Sequence, residues 1–237
     1  MIPIRDTIPA RSAPVVTWLL IFLNSAVFLY ELTLPQAELQ GLVQTFGIVP
    51  VATLHTLSLY PLVTSMFLHG GWGHLVGNMW MLWIFGDNVE DRMGGVRFLV
   101  FYLLTGIIAG LAHIVLSPGS SIPTVGASGA ISGVLGAYFL LFPRSTLIVM
   151  VPVFFWPLFF EVPALLYLFA WFMFQVFGSA LTATAGVGGV AWWAHIGGFG
   201  AGALLHRFFV LPPSKGPRPM ERDEYGMDGA WMRGIRR

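Results

Sequence analysis

Cysteine is absent from this chain, so disulfides, Cys-ligated zinc and thiol catalysis are excluded. Charge is nearly as scarce: Asp, Glu, Lys and Arg make up 10% of the 237 residues, against about 25% in an ordinary soluble domain. Of the 23 charges, 10 lie in the last 28 residues, Val210 to Arg237, which leaves 13 in the preceding 209. So few charges cannot cover a soluble globule of this size. The net charge is +1 and no basic patch exists to match a phosphate backbone, which excludes nucleic acid as a partner. What is present is apolar: 56% hydrophobic residues and a mean hydropathy of +0.77. These values exclude a disordered chain and a cytosolic enzyme, and leave a multi-span helical membrane protein with the lipid bilayer as its solvent.

A hydrocarbon core takes about 20 apolar residues per helix. Val15 to Leu34, bracketed by Pro14 and Pro35, is one such run. Leu39 to Gly86 carries no charge over 48 residues, enough for a polar-leaning loop and a second helix at about Gly71 to Phe85. Val96 to Ser117 and Ser128 to Phe142 read as the third and fourth helices, and Trp192 to Phe209 as the last, starting near Val187. Ser145 to Gly178 is too long for one span and short for two, and Pro152, Pro157 and Pro163 interrupt it. Glu161-Val162-Pro163 has the form of a helix start, an acid at the positive end with Pro in the first turn. The fifth helix is therefore expected at about Val162 to Phe177, with the preceding segment as an apolar loop on or in the membrane surface.

The expected fold class is all-α, a polytopic bundle of six transmembrane helices. Its parts are an N-terminal tail over 1–14, a membrane domain over 15–209 and a flexible C-terminal tail over 210–237. With six spans, all 12 Lys and Arg residues fall on one side. The positive-inside rule then places both termini in the cytoplasm and the segments near Gly119 and Thr184 outside. The first apolar run is too long for a signal-peptide core and ends without a small-residue cleavage site, so it is expected to remain in place.

Polar side chains in hydrocarbon are costly and tend to mark function when they face the bundle interior. Three sets stand out: Gly126-Ala127-Ser128-Gly129 at a loop-to-helix junction, His195 in the last helix, and His69, His74 and Asn78 around the start of the second. By itself the serine tetrad fits a packing serine as well as a nucleophile, since small residues let membrane helices approach closely. A lone intramembrane histidine likewise fits a structural hydrogen-bonder. Depth joins the two. A 15-residue fourth helix is about 22 Å long in a core about 30 Å thick. If it reaches the inner face at Pro143, Ser128 lies about 8 Å below the outer surface. His195 lies roughly 12 Å down its own helix. Gly129, Gly133 and Gly136 on one helix and Gly198 and Gly202 on the other allow the contact that a base-activated nucleophile requires.

Glu31 and Glu38 are the only acids on the outer half, and neither is placed beside His195, so a Ser–His dyad is favoured over a triad. His74 and Asn78, four apart, share one helical face. Their N–H groups suit an oxyanion as well as interhelical hydrogen bonding. No metal and no cofactor are expected, because neither a fuller ligand set nor an H-E-x-x-H helix occurs. His55, His113 and His206 are read as structural or interfacial.

His69-x4-His74-x3-Asn78, Gly126-Ala127-Ser128-Gly129 and Ala194-His195-Ile196-Gly197-Gly198, in that order, resemble the rhomboid family of intramembrane serine proteases. Glu90-Asp91-Arg92-Met93-Gly94 looks like the family's E-x-R-x-G segment. The resemblance covers residues 15–209. It implies Ser128 as nucleophile, His195 as general base, and His74 and Asn78 with the Ser128 backbone as the oxyanion site. It also implies a first loop, about Pro35 to Leu68, half-submerged in the outer leaflet, transmembrane proteins as substrates, and a bacterial plasma membrane as the setting. The fourth residue after the nucleophile is often aromatic in the family; here it is Ser132. The alternatives are a proteolytically silent relative that binds membrane clients, and a small transporter. A transporter would want paired ionisable groups along a midplane path, and beyond Glu161 the core has little of the kind.

Overall fold

The computed structural model describes residues 1–185 and 191–212, with side chains through Leu181 and from Ala191 onward. Among these the chain is mostly helical. The long helices are α1 (Val15–Glu31), α5 (Trp72–Met93), α6 (Gly95–Leu116), α7 (Ser128–Leu141), α8 (Ala164–Ala185) and α9 (Trp192–Phe209). Between α1 and α5 lie α2 (Gln36–Phe46), α3 (Pro50–Thr56) and α4 (Pro61–Thr64), then a 3-10 turn at Ser65–Phe67. The expected first loop is thus folded into short helices, two of them opened by Pro at their first position. By length and composition, α6 and the Ala164–Leu181 part of α8 can each cross a membrane; α1 and α7 are shorter apolar helices.

The expected boundaries of the third and fourth helices agree with α6 and α7 to within a residue, because Gly, Ser and Pro punctuate both. The expected start of the last helix near Val187 lies outside the described residues, as does the C-terminal tail beyond Pro212. The second helix is longer than expected. It continues through Asp87, Glu90, Asp91 and Arg92 to Met93, and ends where Gly94 turns the chain with φ +77°. The charges do not break it because the Glu90 carboxylate has work to do there. It accepts from the backbone N–H groups of Val16 and Thr17 at 3.0 and 2.8 Å, and from the Thr17 hydroxyl at 2.8 Å. Helix α1 has no capping side chain of its own, so an acid from α5 satisfies its first N–H groups.

Four expectations need correction. The chain is not all-α, because a three-stranded antiparallel sheet is present, in the order β1 (Ile2–Asp6), β2 (Thr146–Val153), β3 (Trp156–Pro163). The apolar loop expected after Arg144 is the β2–β3 hairpin, turning at Phe154–Phe155. The segment read as an N-terminal tail supplies β1, with Ile2 opposite Met150 and Asp6 opposite Leu147. Glu161 and Val162 therefore end a strand, and α8 begins at Ala164, whose N–H donates to the Ser145 carbonyl at 2.9 Å.

The sheet lies along α5 between Trp80 and Asn88. The Trp80 indole N–H donates to the Pro3 carbonyl at 2.6 Å. Eight residues further along α5, the Asn88 amide donates to Asp6 Oδ2 at 2.8 Å, and the Tyr138 hydroxyl of α7 donates to the same oxygen at 2.6 Å. Burial pushes the Asp6 carboxyl above the usual carboxylate range, against the Tyr138 hydrogen bond. Leu147 and Val149 on β2 are fully buried and join the main core with Phe85, Val89, Ala164 and Leu168.

The centre of the bundle is a tight junction of α7 with α9. A Cβ added at Gly136, Gly198 or Gly202 would collide with the backbone carbonyls of Phe199, Gly129 and Gly133 respectively. The expected small-residue faces do meet. Backbone approach this close is possible only without side chains.

Candidate active site

Ser128 is the first residue of α7, and His195 lies in the first turn of α9. Because α7 and α9 pack backbone to backbone just below, these two first turns are neighbours. His195 Nε2 lies 2.8 Å from Ser128 Oγ. The Ser128 turn is held from the other side by the chain between α2 and α7. Ile48 and Thr124 exchange backbone hydrogen bonds at 2.9 and 2.8 Å, and the Gly126 N–H donates to the Ser65 carbonyl at 2.8 Å. Gly126 has φ +125°, a conformation that glycine adopts without strain.

His74 and Asn78 face the same turn from α5. A Cβ added at Gly126 would lie 2.6 Å from the His74 ring and 3.5 Å from Asn78 Nδ2. The Gly70 N–H reaches His74 Nδ1 at 3.4 Å. That contact leaves Nε2 as the protonated nitrogen, on the Gly126 side. Asn78 Nδ2 lies 3.1 Å from His69 Nε2. Burial holds the His69 imidazole below its ordinary pKa, and the nearby His74 acts in the same direction. A neutral His69 accepts from Asn78, which keeps a second amide hydrogen for the cavity. The first-turn N–H groups of α7 have no intrahelical acceptor by helix geometry. His74 and Asn78 of α5 and Ser128 at the start of α7 thus line one cavity.

A cavity of about 1040 Å³ opens over this group, with Gly73, His74 and Asn78 of α5 on one wall and Trp171, Gln175 and Ser179 of α8 on the other. His113 also lines it, 3.0 Å from Thr124 Oγ1 through Nε2. His206 lies 2.8 Å from the Ala203 carbonyl through Nδ1, and His55 is exposed at the end of α3. Glu31 accepts from the His69 N–H at 3.2 Å, and the nitrogens of His195 are bonded to Gln175 and Ser128 instead. No group of three or more His, Cys, Asp or Glu side chains that can hold a metal occurs among the described residues.

Two neighbours of His195 were missed in the sequence. Gln175 Oε1 lies 2.8 Å from His195 Nδ1. The Trp171 ring lies 6.1 Å from the imidazole, centroid to centroid. The Ser132 hydroxyl donates to the Ser128 carbonyl at 2.7 Å. The aromatic neighbour of His195 comes from α8 instead.

Comparison with known proteins places the chain in a family. The rhomboid domain matches residues 56–212. The chain is 38% identical over 125 residues to the rhomboid protease GluP of Bacillus subtilis, covering 52% of this chain and 24% of that protein. It is 32% identical over 126 residues to the chloroplastic rhomboid-like protein 11 of Arabidopsis thaliana, covering 53% and 41%. It is 34% identical over 97 residues to the human mitochondrial presenilin-associated rhomboid-like protein, covering 40% and 26%. The matches span less than half the length of each of these relatives. The fold and site define a helical integral membrane protein with a buried polar centre. The chain belongs to the rhomboid family.

Proposed function

We propose that this protein is an intramembrane serine endopeptidase acting through a Ser128–His195 dyad. The observation that carries this reading is the 2.8 Å contact between Ser128 Oγ and His195 Nε2 in a cavity that His74, Asn78 and Gln175 also line. His195 Nε2 takes the hydroxyl proton as Oγ bonds to the scissile carbonyl carbon. The carbonyl oxygen becomes an oxyanion facing His74, Asn78 and the first-turn N–H groups of α7. As the intermediate collapses, the C–N bond breaks, and His195 returns the proton to the leaving amine. A water molecule, deprotonated by the same nitrogen, then hydrolyses the acyl-enzyme.

In this reading the six long helices span the bilayer with both termini cytoplasmic, supported by the one-sided placement of Lys and Arg. The clients are single-span membrane proteins cut near their outer end, since Ser128 opens a helix of only 14 residues and so begins below the outer surface. The test is labelling of the purified protein by a fluorophosphonate. Modification confined to Ser128, with loss of peptide cleavage, supports the reading. Cleavage that persists at the wild-type rate in Ser128→Ala, with contaminating proteases excluded, overturns it.

A further inference from the structure

The dyad uses one nitrogen of the His195 imidazole. The other, Nδ1, lies 2.8 Å from Gln175 Oε1. Gln175 sits on α8 and is buried, with 4% of its surface exposed. Its Nε2 donates to the Trp171 carbonyl one turn earlier, at 3.2 Å. That second bond decides which way the amide points. Flipped, it would set its carbonyl oxygen against the Trp171 carbonyl, two acceptors facing each other, and would turn its NH2 toward His195. In the observed orientation Oε1 faces Nδ1 and can only accept. Nδ1 must then carry the ring proton, and Nε2 presents its lone pair to the Ser128 hydroxyl. That is the tautomer a general base needs, and the partner of the far nitrogen sets it.

We propose that Gln175 is the positioning residue for His195, holding the imidazole in its base-competent tautomer and orientation from α8. The proposal rests on the dyad reading above. Two features of the site favour an amide in this place. A carboxylate would lose its hydration in a buried site beside Trp171, whereas a neutral amide does not carry the cost of a buried charge. An amide also has a second hydrogen-bonding group, and here that group is tied to the α8 backbone, which fixes the acceptor's direction. The Trp171 ring restricts the imidazole from the same helix, so two residues four apart on α8 bracket the base.

The experiment measures peptide cleavage by the full chain in detergent or lipid vesicles for wild type, Gln175→Leu and Gln175→Glu, with Ser128→Ala as reference. Gln175→Leu keeps similar bulk and removes the acceptor. It is expected to lower kcat on the order of 10–10²-fold with KM little changed, the scale of a misplaced catalytic group. In 15N-histidine-labelled protein the His195 signals should move from the Nδ1–H tautomer toward a mixture, which lost packing alone would not produce. Gln175→Glu supplies an anion that favours imidazolium, so the acid limb of the pH–rate profile should move to higher pH. The other titratable groups facing His195, His74 on α5 and His113 on α6, are the same in every variant. Wild-type kcat and tautomer in Gln175→Leu overturn the proposal, as does an unmoved acid limb in Gln175→Glu should Gln175→Leu fail to fold. In either case an inactive Ser128→Ala leaves the dyad reading standing. Cleavage by Ser128→Ala at the wild-type rate would instead defeat that reading.

Discussion

The α-carbon of Gly198 lies against the carbonyl of Gly129, so close that a Cβ at Gly198 would run into the oxygen. Gly198 is three residues after His195, and Gly129 is the residue after Ser128. The backbone contact that locks α9 to α7 is therefore one turn or less from both reacting groups. Gly198→Ala is expected to push the helices apart, costing about 1–3 kcal/mol as an overpacked junction and lengthening the Ser128–His195 contact. Cleavage should fall further than thermal stability alone explains. Gly200→Ala, on the same helix, meets nothing within 4 Å and should leave both unchanged. Parallel melting and cleavage assays on the two variants check this.

Ser128→Ala and His195→Ala should each abolish cleavage while the protein keeps its fold by circular dichroism. The double variant should be no worse than either single one, because the two groups act as a unit. His74→Ala and Asn78→Ala should cost less, on the order of 10²–10³ in kcat for one lost oxyanion donor. Equal loss in all four would mean that His74 and Asn78 hold the fold rather than the oxyanion.

Asp6 ties the sheet to the bundle through Asn88 and Tyr138. Tyr138→Phe removes one hydrogen bond to a partly buried carboxyl, and should lower stability on the order of 1–2 kcal/mol. Deleting residues 1–6 removes all of β1 and should cost more. Unfolding in a denaturant series gives both values. A neutral Tyr138→Phe would show that the strand is held by its pairing with β2 alone.

Topology is open to direct measurement. A cysteine introduced at Gly119 should react with an impermeant thiol reagent added outside, and one at Ser12 should not, in a chain with no native cysteine to confuse the readout. Reaction of both from the same side would overturn the six-span arrangement with cytoplasmic termini.

Substrate selection follows from the state of the scissile bond. In a transmembrane helix every backbone carbonyl is hydrogen-bonded within the segment, so attack by Ser128 needs a locally opened stretch. Gly, Pro or polar residues just below the cut should promote cleavage by weakening the helix. Replacing them with Leu, with the cut-site residue kept, should slow it. Undiminished or faster cleavage would show that helix opening does not select clients.

Much of this protein was legible as a string of residues, for physical reasons that are local. Ten per cent charge and long uncharged runs leave only a membrane as solvent, in keeping with the rhomboid family. The bounds of α6 and α7 follow from Pro, Gly and Ser at their ends. The Gly129–Gly133–Gly136 and Gly198–Gly202 faces follow from helical spacing, and with the expected depths of Ser128 and His195 they bring a hydroxyl and an imidazole toward one another. The sheet was not legible. Thr146 to Val153 is apolar at nearly every position and so shows no period-two alternation, and its turn, Phe154–Phe155, carries none of the usual turn residues. β1 pairs with a partner some 140 positions away, a register that no local pattern encodes. Gln175 was missed for a related reason. It is one amide in an apolar stretch, and its meaning depends on the rotation of α8 about its axis. Packing against α9 sets that rotation, and only the folded bundle shows which nitrogen of His195 it meets.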